Sequence, residues 1–349
     1  MLSTSIPYKF LEIFGKNASA TYLTTPLPQT TASGIRASQD LGFPPATATP
    51  IGAGGVPPDI RDFNGVLQYE TSWSQWFQAG GVVPYDSTFQ TAIGGYPKNA
   101  LIASGSISGL IWRSTAENNI TNPDAGGAGW ISATAGRLLG SQIFTTSGTY
   151  TPTTGMGFAI IEVQGGGGGG GGCTGAAAGN VSLGAPGTSG TYAKGLFTAT
   201  AIGSSQVVTI GSGSNGGVGI AATTGGTSSV GALIVAPGGV GGGTLTNQVP
   251  PTLNGNGGTS SAATGGNIVS SVGGISSVGF CLTASIAYCG NGGASVFGNG
   301  AIGVSINTGG SNASNPGSGG GGTAVNSGGG TATGGKGAAG IVIVWEYSV

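Results

Sequence analysis

Eight consecutive glycines, residues 165–172, follow the apolar run FAIIEVQ and divide the chain into two kinds of sequence. Glycine loses more conformational entropy on folding than any other residue, so a free run of this length favours a flexible linker. Of the 77 glycines, 59 lie after residue 140, where short runs of Val, Ile, Phe and Tyr recur between them. Because those runs fix both ends of each glycine segment, we expect ordered glycine layers, with floppy loops as the alternative.

Six runs after residue 140 are rich in β-branched and aromatic residues, which is typical of strands. They are residues 144–150, 158–164, 192–198, 206–210, 229–235 and 341–347. The runs predict a sheet or a β-sandwich in which residues 159–164 pair with residues 341–347 and close the domain. That pairing predicts that Glu162 and Glu346 lie on or near a hydrated face. The glycine segments between the strands are expected to display the few large side chains that interrupt them.

The charge pattern excludes several classes of function. Only 19 residues are charged, 15 of them before residue 141, and the net charge is −1. Without a basic stretch there is no counterion release to favour nucleic-acid binding. The chain has no histidine, so catalytic triads that use one are excluded. Paired acid and base catalysis needs two carboxylates, and the two after residue 140 both lie inside hydrophobic strand runs. We predict no enzymatic activity, with a polysaccharide depolymerase as a minority alternative.

No cofactor or metal site is predicted. The cysteines, Cys173, Cys281 and Cys289, lack metal-binding spacing and are expected to be buried free thiols, although Cys281 and Cys289 could pair across a hairpin. The GxGxxG match at residues 211–216 lacks a following helix and an acidic ribose partner. A second match at residues 330–337 resembles a phosphate loop but has glycine where Ser or Thr must bind magnesium, so we interpret both as chance.

One helix is predicted, over residues 59–79, with Asp59 or Asp62 as its N-cap and a glycine pair at its end. Apolar residues recur along it at spacings of three and four, which places them on one stripe. We expect the stripe to be packed and not to bind a ligand, covered by symmetry-related copies or by the next domain. The stripe consists of Phe63, Val66, Tyr69, Trp73 and Trp76.

The regions on either side of this helix differ in composition. Residues 1–58 are rich in proline and predict an extended segment that is ordered by a partner, with a disordered leader as the alternative. Residues 82–139 predict a small β module, with strands at 101–104 and 109–114 and a turn at 122–129. Nothing resembles a signal peptide or a membrane-spanning run, so we expect no membrane insertion.

Two sets of motifs resemble a known family. The runs DFNG, WSQWFQAGG, VPYD, IGGYPKNALI, WRST and NPDAGGAGW, within residues 62–130, resemble the proximal module of tail-fibre proteins from tailed bacteriophages and related prophage tails. The runs FTTSGTYTPTTG, FAIIEVQGGGGGGGG, VVTIGSGSNGG, TSSVGALIVAPGGVGGG and GAAGIVIVWEYS, within residues 144–348, resemble the glycine-rich domain that ends many such fibres. The order of these motifs is more specific than the glycine run alone, and residues before about 60 have no match.

The resemblance implies a homotrimeric tail fibre or tail-tip adhesin of the virion tail, assembled in the host cytoplasm. Its fold is expected to be mainly β, an elongated fibre with a short proximal helix, a small β module and a glycine-rich β-sandwich-like domain. Residues 1–58 would attach to a baseplate or tail protein, residues 59–140 would trimerise through the helix stripe, and residues 141–349 would bind the host. The expected receptor is a surface glycan or an outer-membrane protein.

The predicted receptor contacts are side chains that interrupt the later glycine runs. Aromatic rings stack on sugar faces, and Asn or Gln amides form hydrogen bonds with hydroxyl groups. The alternative that the three aromatic residues fill the core stays open. A glycine-rich structural surface protein without a receptor is the other class of function to be considered. The predicted contacts are Leu245, Asn247, Gln248, Asn254, Phe280, Tyr288 and Phe297.

Overall fold

The computed structural model describes residues 9–30, 35–255 and 258–348, and the fold is mainly β, as predicted. The chain divides into two compact units. The first contains residues 1–106 and 111–131, and the second contains residues 107–110 and 132–349. The second unit therefore begins a few residues before the predicted boundary at residue 140. Within the described ranges, no helix is both long and apolar enough to cross a membrane.

The predicted helix is confirmed as α1 (Ile60–Gln78). Asp59 is its N-cap and accepts a hydrogen bond from the backbone N of Arg61, while Gly80 takes a φ of +83° just after the last turn. Asp62 has a different role from the cap that was considered for it. Its carboxylate is buried, is paired with the Arg36 guanidinium and accepts a 2.8 Å hydrogen bond from the Ala37 backbone N.

The described part of the N-terminal segment lies along α1 and forms hydrogen bonds with it. Polar side chains of α1 form hydrogen bonds with the backbone of the N-terminal segment, because an extended segment leaves its own amides and carbonyls unpaired. The Phe10 backbone N donates to Gln78 and the Phe14 backbone N donates to Thr71, while Gln68 donates to the Gly15 carbonyl. Residues 1–8 and 31–34 of this segment lie outside the described residues. Short 3-10 turns occur at Ala20–Tyr22, Pro45–Ala48 and Ile51–Ala53.

The predicted β module is a three-stranded sheet of order β1-β2-β3. Its strands are β1 (Leu101–Ala103), β2 (Ile111–Ser114) and β3 (Trp130–Ser132), and a 3-10 turn at Pro123–Ala125 precedes β3. Tyr96, Ile102 and Trp130 form its core. Sequence analysis missed α2 (Ser87–Ile93), whose first turn is capped by Asp86 and which has no long apolar stripe.

The second unit contains fifteen further strands and one short helix among its described residues, and all six predicted runs contain strand residues. The run at 144–150 is not one strand, because residues 145–147, which include a bend, separate the end of one strand from the start of the next. The run at 229–235 is a hairpin of two strands. The elements are β4 (Leu138–Phe144), β5 (Gly148–Tyr150), β6 (Met156–Gln164), β7 (Val181–Gly184), β8 (Tyr192–Thr198), α3 (Ala199–Ile202), β9 (Gln206–Thr209), β10 (Ser228–Val230), β11 (Ile234–Ala236), β12 (Thr244–Gln248), β13 (Thr252–Asn254), β14 (Val269–Ser270), β15 (Gly279–Thr283), β16 (Ile286–Tyr288), β17 (Thr323–Asn326) and β18 (Ile341–Ser348).

Two sheets of this unit pack face to face as a β-sandwich. Their strand orders are β14-β8-β6-β18-β4 and β11-β10-β9-β5. Ile161 and Val344 from the first sheet meet Val208 and Val230 from the second in one buried core. The predicted pairing of β6 with β18 is confirmed, antiparallel, with Val163 opposite Val342.

The two glutamates lie on opposite faces of the five-stranded sheet. Glu162 is on the outer face, 3.1 Å from the Lys194 ammonium group. Glu346 is only 1% exposed, so its predicted position on a hydrated face is wrong. The alternation of β18 turns Glu346 inward, where its carboxylate accepts hydrogen bonds from the Tyr150 hydroxyl and from the backbone N and hydroxyl of Thr153, at 2.6–2.9 Å. Donors that are close in space therefore stabilise the buried Glu346 carboxylate, which the strand pattern alone predicts to lie in water.

Glu346 is expected to make the unit sensitive to acid. Burial alone raises the pKa of Glu346, but the hydrogen bonds from Thr153 and Tyr150 outweigh it and hold the pKa below the usual glutamate value. The ionised group therefore stabilises the fold at neutral pH, and this stabilisation is lost as the pH falls through the folded pKa, which lies below the usual glutamate value. We expect Glu346→Gln to lower the free energy of unfolding at pH 7 by about 1–3 kcal/mol. We also expect the free energy of unfolding of this variant to fall less than that of the wild type as the pH is lowered.

Chemical denaturation from pH 3 to pH 7 measures this effect. Glu162→Gln, which removes a carboxylate from the outer face, is the matched control and is expected to cost less than about 1 kcal/mol. If the free energy of unfolding falls as steeply with acid in Glu346→Gln as in the wild type, another group is responsible for the acid sensitivity.

Beside the β-sandwich, the second unit contains a bundle of glycine-rich segments. The eight consecutive glycines form the buried centre of this bundle. Seven of the eight backbone amides donate in rotation to three neighbouring segments, residues 185–191, 220–226 and 335–338, with N···O distances of 2.8–3.0 Å. Every third glycine donates to the same segment. For example, the amides of Gly165, Gly168 and Gly171 donate to the carbonyls of Thr191, Thr188 and Ala185, respectively. Three residues per turn without internal hydrogen bonds is the geometry of the polyproline II helix.

Three more segments complete a ring of six around the glycines. Residues 214–217, 239–242 and 320–323 donate to the carbonyls of the glycine run, and they run parallel to it, whereas the three acceptor segments run antiparallel. A Cβ built on any of the eight glycines would lie 1.8–2.3 Å from a backbone carbonyl oxygen of a parallel segment or of a residue within two positions of one. The ordered layers that we predicted are therefore present. The glycine run is the core of the bundle, however, and not a displayed loop.

Two small sheets lie at the end of the bundle where the glycine run finishes, and we call this region the tip. The strand orders are β12-β7-β17 and β13-β15-β16, and β12 and β17 directly continue two of the parallel segments. Val181, Leu183, Cys281, Cys289 and Ala324 form the core between them. The three cysteines are free and buried, as predicted. Burial, together with the neighbouring Cys173 and Cys281 thiols, raises the pKa of Cys289 to about 12.

Candidate functional site

The tip is an uncharged surface. No Asp, Glu, Lys or Arg occurs between Lys194 and Lys336, the interval that supplies most of the tip. Any partner of this surface must therefore be recognised through apolar contact and neutral hydrogen bonds. Long-range attraction of charged ligands contributes nothing here.

An apolar groove crosses the outer face of the β13-β15-β16 sheet. Leu253 lies opposite Phe280 in the register of β13 with β15, and Phe280 lies opposite Tyr288 in the register of β15 with β16. The Phe280 and Tyr288 rings are tilted, with centroids 5.8 Å apart. Val278 and Leu282 extend the same groove. We call Leu253, Val278, Phe280 and Leu282 the tip face.

The side chains of the tip face are unusually exposed for large apolar residues. Leu253 is 67% exposed, Leu282 56% and Phe280 37%. The residues between them in sequence point inward, because side chains alternate along a strand: Asn254 and Cys281 are buried beneath the sheet. A row of exposed large apolar side chains on an ordered sheet is typical of a surface that contacts a partner.

Hydrogen bonds hold the aromatic edge of this groove in place. The Tyr288 hydroxyl donates to the Asn291 side-chain oxygen at 2.6 Å, and the Gly303 backbone N donates to the same oxygen. Because the ring is fixed before a partner arrives, little side-chain entropy remains to be lost on binding.

The structure brings together only part of the predicted contact set. Phe280 and Tyr288 lie at the tip face, so the alternative that they fill the core is wrong for these two residues, which are partly exposed. Leu245, Asn247 and Gln248 lie on or beside β12, in the neighbouring tip sheet. The side-chain oxygen of Asn247 is already bound by the backbone N of Ala177, at 2.8 Å.

The other two predicted contacts lie elsewhere. Asn254 is 8% exposed and its amide donates to the Leu183 carbonyl at 2.8 Å, so it joins the two tip sheets and does not face a partner. Phe297 packs edge to face against Tyr192 of β8, with ring centroids 6.3 Å apart. It therefore lies beside the sandwich and away from the tip face.

Sequence analysis missed Leu253, Val278 and Leu282. The signal that could have found the strands is the run GFCLTASIAY, residues 279–288, which is a hairpin-length stretch of β-branched and aromatic residues without proline. Its exposed side chains point away from the core, and the sequence alone does not distinguish these two faces of a short strand.

A second exposed apolar surface lies on α1. Tyr69, Trp73, Trp76 and Phe77 are 36–58% exposed, and the Trp73 ring stacks on Phe77 with centroids 5.7 Å apart. Phe63 of the predicted stripe is also exposed, and Val66 is partly buried. Most of the predicted stripe is thus exposed in the single chain, on the side of the helix away from the polar side chains that hold the N-terminal segment, although Phe63 packs against Phe43 with ring centroids 6.4 Å apart.

Comparison with protein-family models and with curated protein sequences gives no significant match. Within the described residues, no group of three or more His, Cys, Asp and Glu side chains is arranged to hold a metal ion.

Proposed function

We propose that this chain is a tail fibre or tail-tip adhesin of a tailed bacteriophage, which binds the bacterial surface during adsorption. The observation that carries the proposal is the uncharged, exposed tip face at the far end of a packed glycine bundle. A rigid bundle with almost no side chains of its own positions a small surface, and recognition is then concentrated in the few large residues of that surface. The family resemblance of residues 62–130 and 144–348 supports the same function.

The proposed receptor is a surface glycan or an outer-membrane protein. Apolar side chains beside a fixed aromatic ring suit the C–H face of a sugar or an apolar protein loop. We assign no catalytic step to the chain. The carboxylates after residue 140, Glu162 and Glu346, lie on opposite faces of one sheet, and both are engaged in ion pairs or hydrogen bonds within the fold.

Binding of the labelled full-length protein to whole bacteria tests this function. Fluorescent protein is incubated with a panel of Gram-negative strains, and bound protein is measured by flow cytometry as a function of concentration. The proposal predicts saturable binding to the strains on which the corresponding virion adsorbs. Equal, non-saturable binding to every strain would contradict it and would favour a structural surface protein.

We further propose that three copies assemble through α1 and that the N-terminal segment attaches the fibre to a baseplate or tail protein. The support for assembly is the exposed aromatic surface of α1, because five large apolar side chains on one helix are costly to leave in water. The spacing of Val66, Tyr69, Trp73 and Trp76 follows the three-four alternation of a helix-packing seam.

A substitution in the seam tests the assembly. Trp73→Glu combined with Trp76→Glu is expected to convert a trimer into a monomer, because buried glutamates would repel one another and lose their hydration. Light scattering coupled to gel filtration measures the mass. Ile51→Glu, at a residue that is 76% exposed elsewhere in the unit, is the control and is expected to leave the trimer intact. A monomeric wild type would refute the proposed assembly.

A further inference from the structure

A cavity of about 240 Å³ lies beside the junction of the sandwich and the glycine bundle, away from the tip face. It forms where the end of β6 and the start of β8 meet the outer segments around residues 271–274 and 294–296. This volume is below the range of about 300–1,000 Å³ that is typical for drug-sized ligands, so it fits one small ring. Its lining includes Gln164, Ser189, Tyr192, Ser271, Ala294 and Ser295.

The lining is uncharged and combines hydroxyl groups with the apolar side chains of Val272 and Val296. The Ser271 hydroxyl donates to the Tyr192 carbonyl at 3.2 Å, and the Ser189 oxygen accepts from the Gly274 backbone N at 2.7 Å. Ser295 accepts from the Phe297 backbone N at 3.2 Å. The hydroxyl hydrogens of Ser189 and Ser271 are already donated to the Gly190 and Tyr192 carbonyls, and each oxygen accepts one backbone N–H. A hydroxyl oxygen has two lone pairs, so each of these serines can still accept one further hydrogen bond. A ligand that matches them carries several hydroxyl groups and no charge.

Gln164 supplies the second observation. Its side chain is 1% exposed, and its amide nitrogen donates to the Gly190 carbonyl at 2.8 Å. Its side-chain oxygen has no hydrogen-bond partner, and it is the one buried side-chain N or O atom in this condition among the described residues. A buried acceptor without a donor costs about 1–3 kcal/mol, so a donor that enters from the cavity is favoured.

A fixed aromatic residue forms part of the wall. Tyr192 is held from two sides, by the edge-to-face contact with Phe297 and by a 3.0 Å hydrogen bond from its hydroxyl to Glu162. The one nearby cation, Lys194, is paired with Glu162, so no free positive charge is available for a phosphate or carboxylate ligand. Hydroxyl groups together with an aromatic wall suit a sugar ring, whose hydroxyls lie at its edge and whose faces are apolar.

We infer that this cavity binds one neutral sugar residue. The site is separate from the tip face, and the inference does not depend on the proposed receptor-binding function. It gives the chain a carbohydrate subsite on the flank of the glycine-rich unit, where one ring occupies the cavity and donates a hydroxyl hydrogen toward Gln164.

Saturation-transfer NMR on the full-length protein tests the inference with four probes: D-glucose, D-galactose, N-acetyl-D-glucosamine and L-rhamnose. We expect saturable transfer to at least one of them. Ala294→Trp is designed to fill the cavity from an exposed position and is expected to abolish that transfer. Ala178→Trp, at an exposed alanine in the turn between the glycine run and β7, is the matched control and is expected to retain it.

Ser295→Val keeps the experiment decisive if the tryptophan variant does not fold. It removes one lining hydroxyl with little change in volume and is expected to weaken binding at least fivefold while the melting temperature is unchanged. No saturable transfer to any of the four sugars would overturn the inference. So would transfer that is equal in the wild type and in a folded Ala294→Trp variant.

Discussion

Gly168→Ala is expected to unfold the glycine-rich unit. The added methyl group would lie 2.1 Å from the Val240 carbonyl oxygen, far inside van der Waals contact, and the clashing atom is backbone. Six hydrogen-bonded segments surround the glycine run, so none moves away without breaking bonds to its own neighbours. Overpacking of an ordinary core costs about 1–3 kcal/mol. Here we expect more than about 4 kcal/mol, which is exceptional for one methyl group.

The matched control is Gly243→Ala, in a segment next to the glycine run. A Cβ on Gly243 meets no heavy atom within 4 Å, and its backbone is not in the left-handed region. The control is expected to change the free energy of unfolding by less than about 1 kcal/mol, since it mainly restricts the unfolded chain. Circular dichroism melting measures both variants. Gly168→Ala should melt roughly 10 °C lower or more, or fail to accumulate as folded protein. Equal melting of the two variants would show that the bundle does not pack as described.

Leu253→Asp combined with Leu282→Asp is expected to abolish host binding without unfolding the tip. Both side chains are more than half exposed, so charge at these positions is tolerated in the free protein. In a complex the two carboxylates would be buried without partners against an uncharged surface. Truncation of a central contact costs about 2 kcal/mol or more, so two buried charges are expected to weaken binding at least 100-fold.

The control for this variant carries the same charge elsewhere on the second unit. Val207 and Leu138 are 65% and 51% exposed on sandwich strands, and Val207→Asp with Leu138→Asp adds two carboxylates away from the tip. Flow cytometry of labelled protein on the adsorbing strain compares the two variants, with melting temperatures as the test of folding. Undiminished binding by the Leu253 and Leu282 variant would remove the tip face as the receptor contact.

Alternation and composition predict the sandwich well. The runs at 158–164 and 341–347 are long, β-branched and free of proline, so their existence and pairing follow from the sequence. Glu346 shows the limit of this reasoning. Its burial depends on Tyr150 and Thr153, which are distant in sequence, and no local pattern predicts that these donors converge on its carboxylate.

The glycine bundle is predictable only in part. The strands on either side of each glycine segment indicate that the segments are ordered. Their arrangement does not follow, because glycines carry no side chains to show which segment is central and which surrounds it. The tip strands, with Leu253, Val278 and Leu282, were missed for a related reason: the strands of the tip-face sheet are only three to five residues long, and the tip-face side chains point away from the core. The function that we propose for that surface depends on exposed apolar residues, whose orientation the sequence does not give.

Competition with virion adsorption tests the central claim most directly. Bacteria of the adsorbing strain are incubated with purified full-length protein, virions are then added, and unadsorbed particles are counted. The proposal predicts that wild-type protein lowers the adsorption rate in a saturable, concentration-dependent way, whereas the Leu253→Asp and Leu282→Asp variant does not. An adsorption rate that stays unchanged at saturating wild-type protein would contradict the assignment of this chain as the host-binding adhesin.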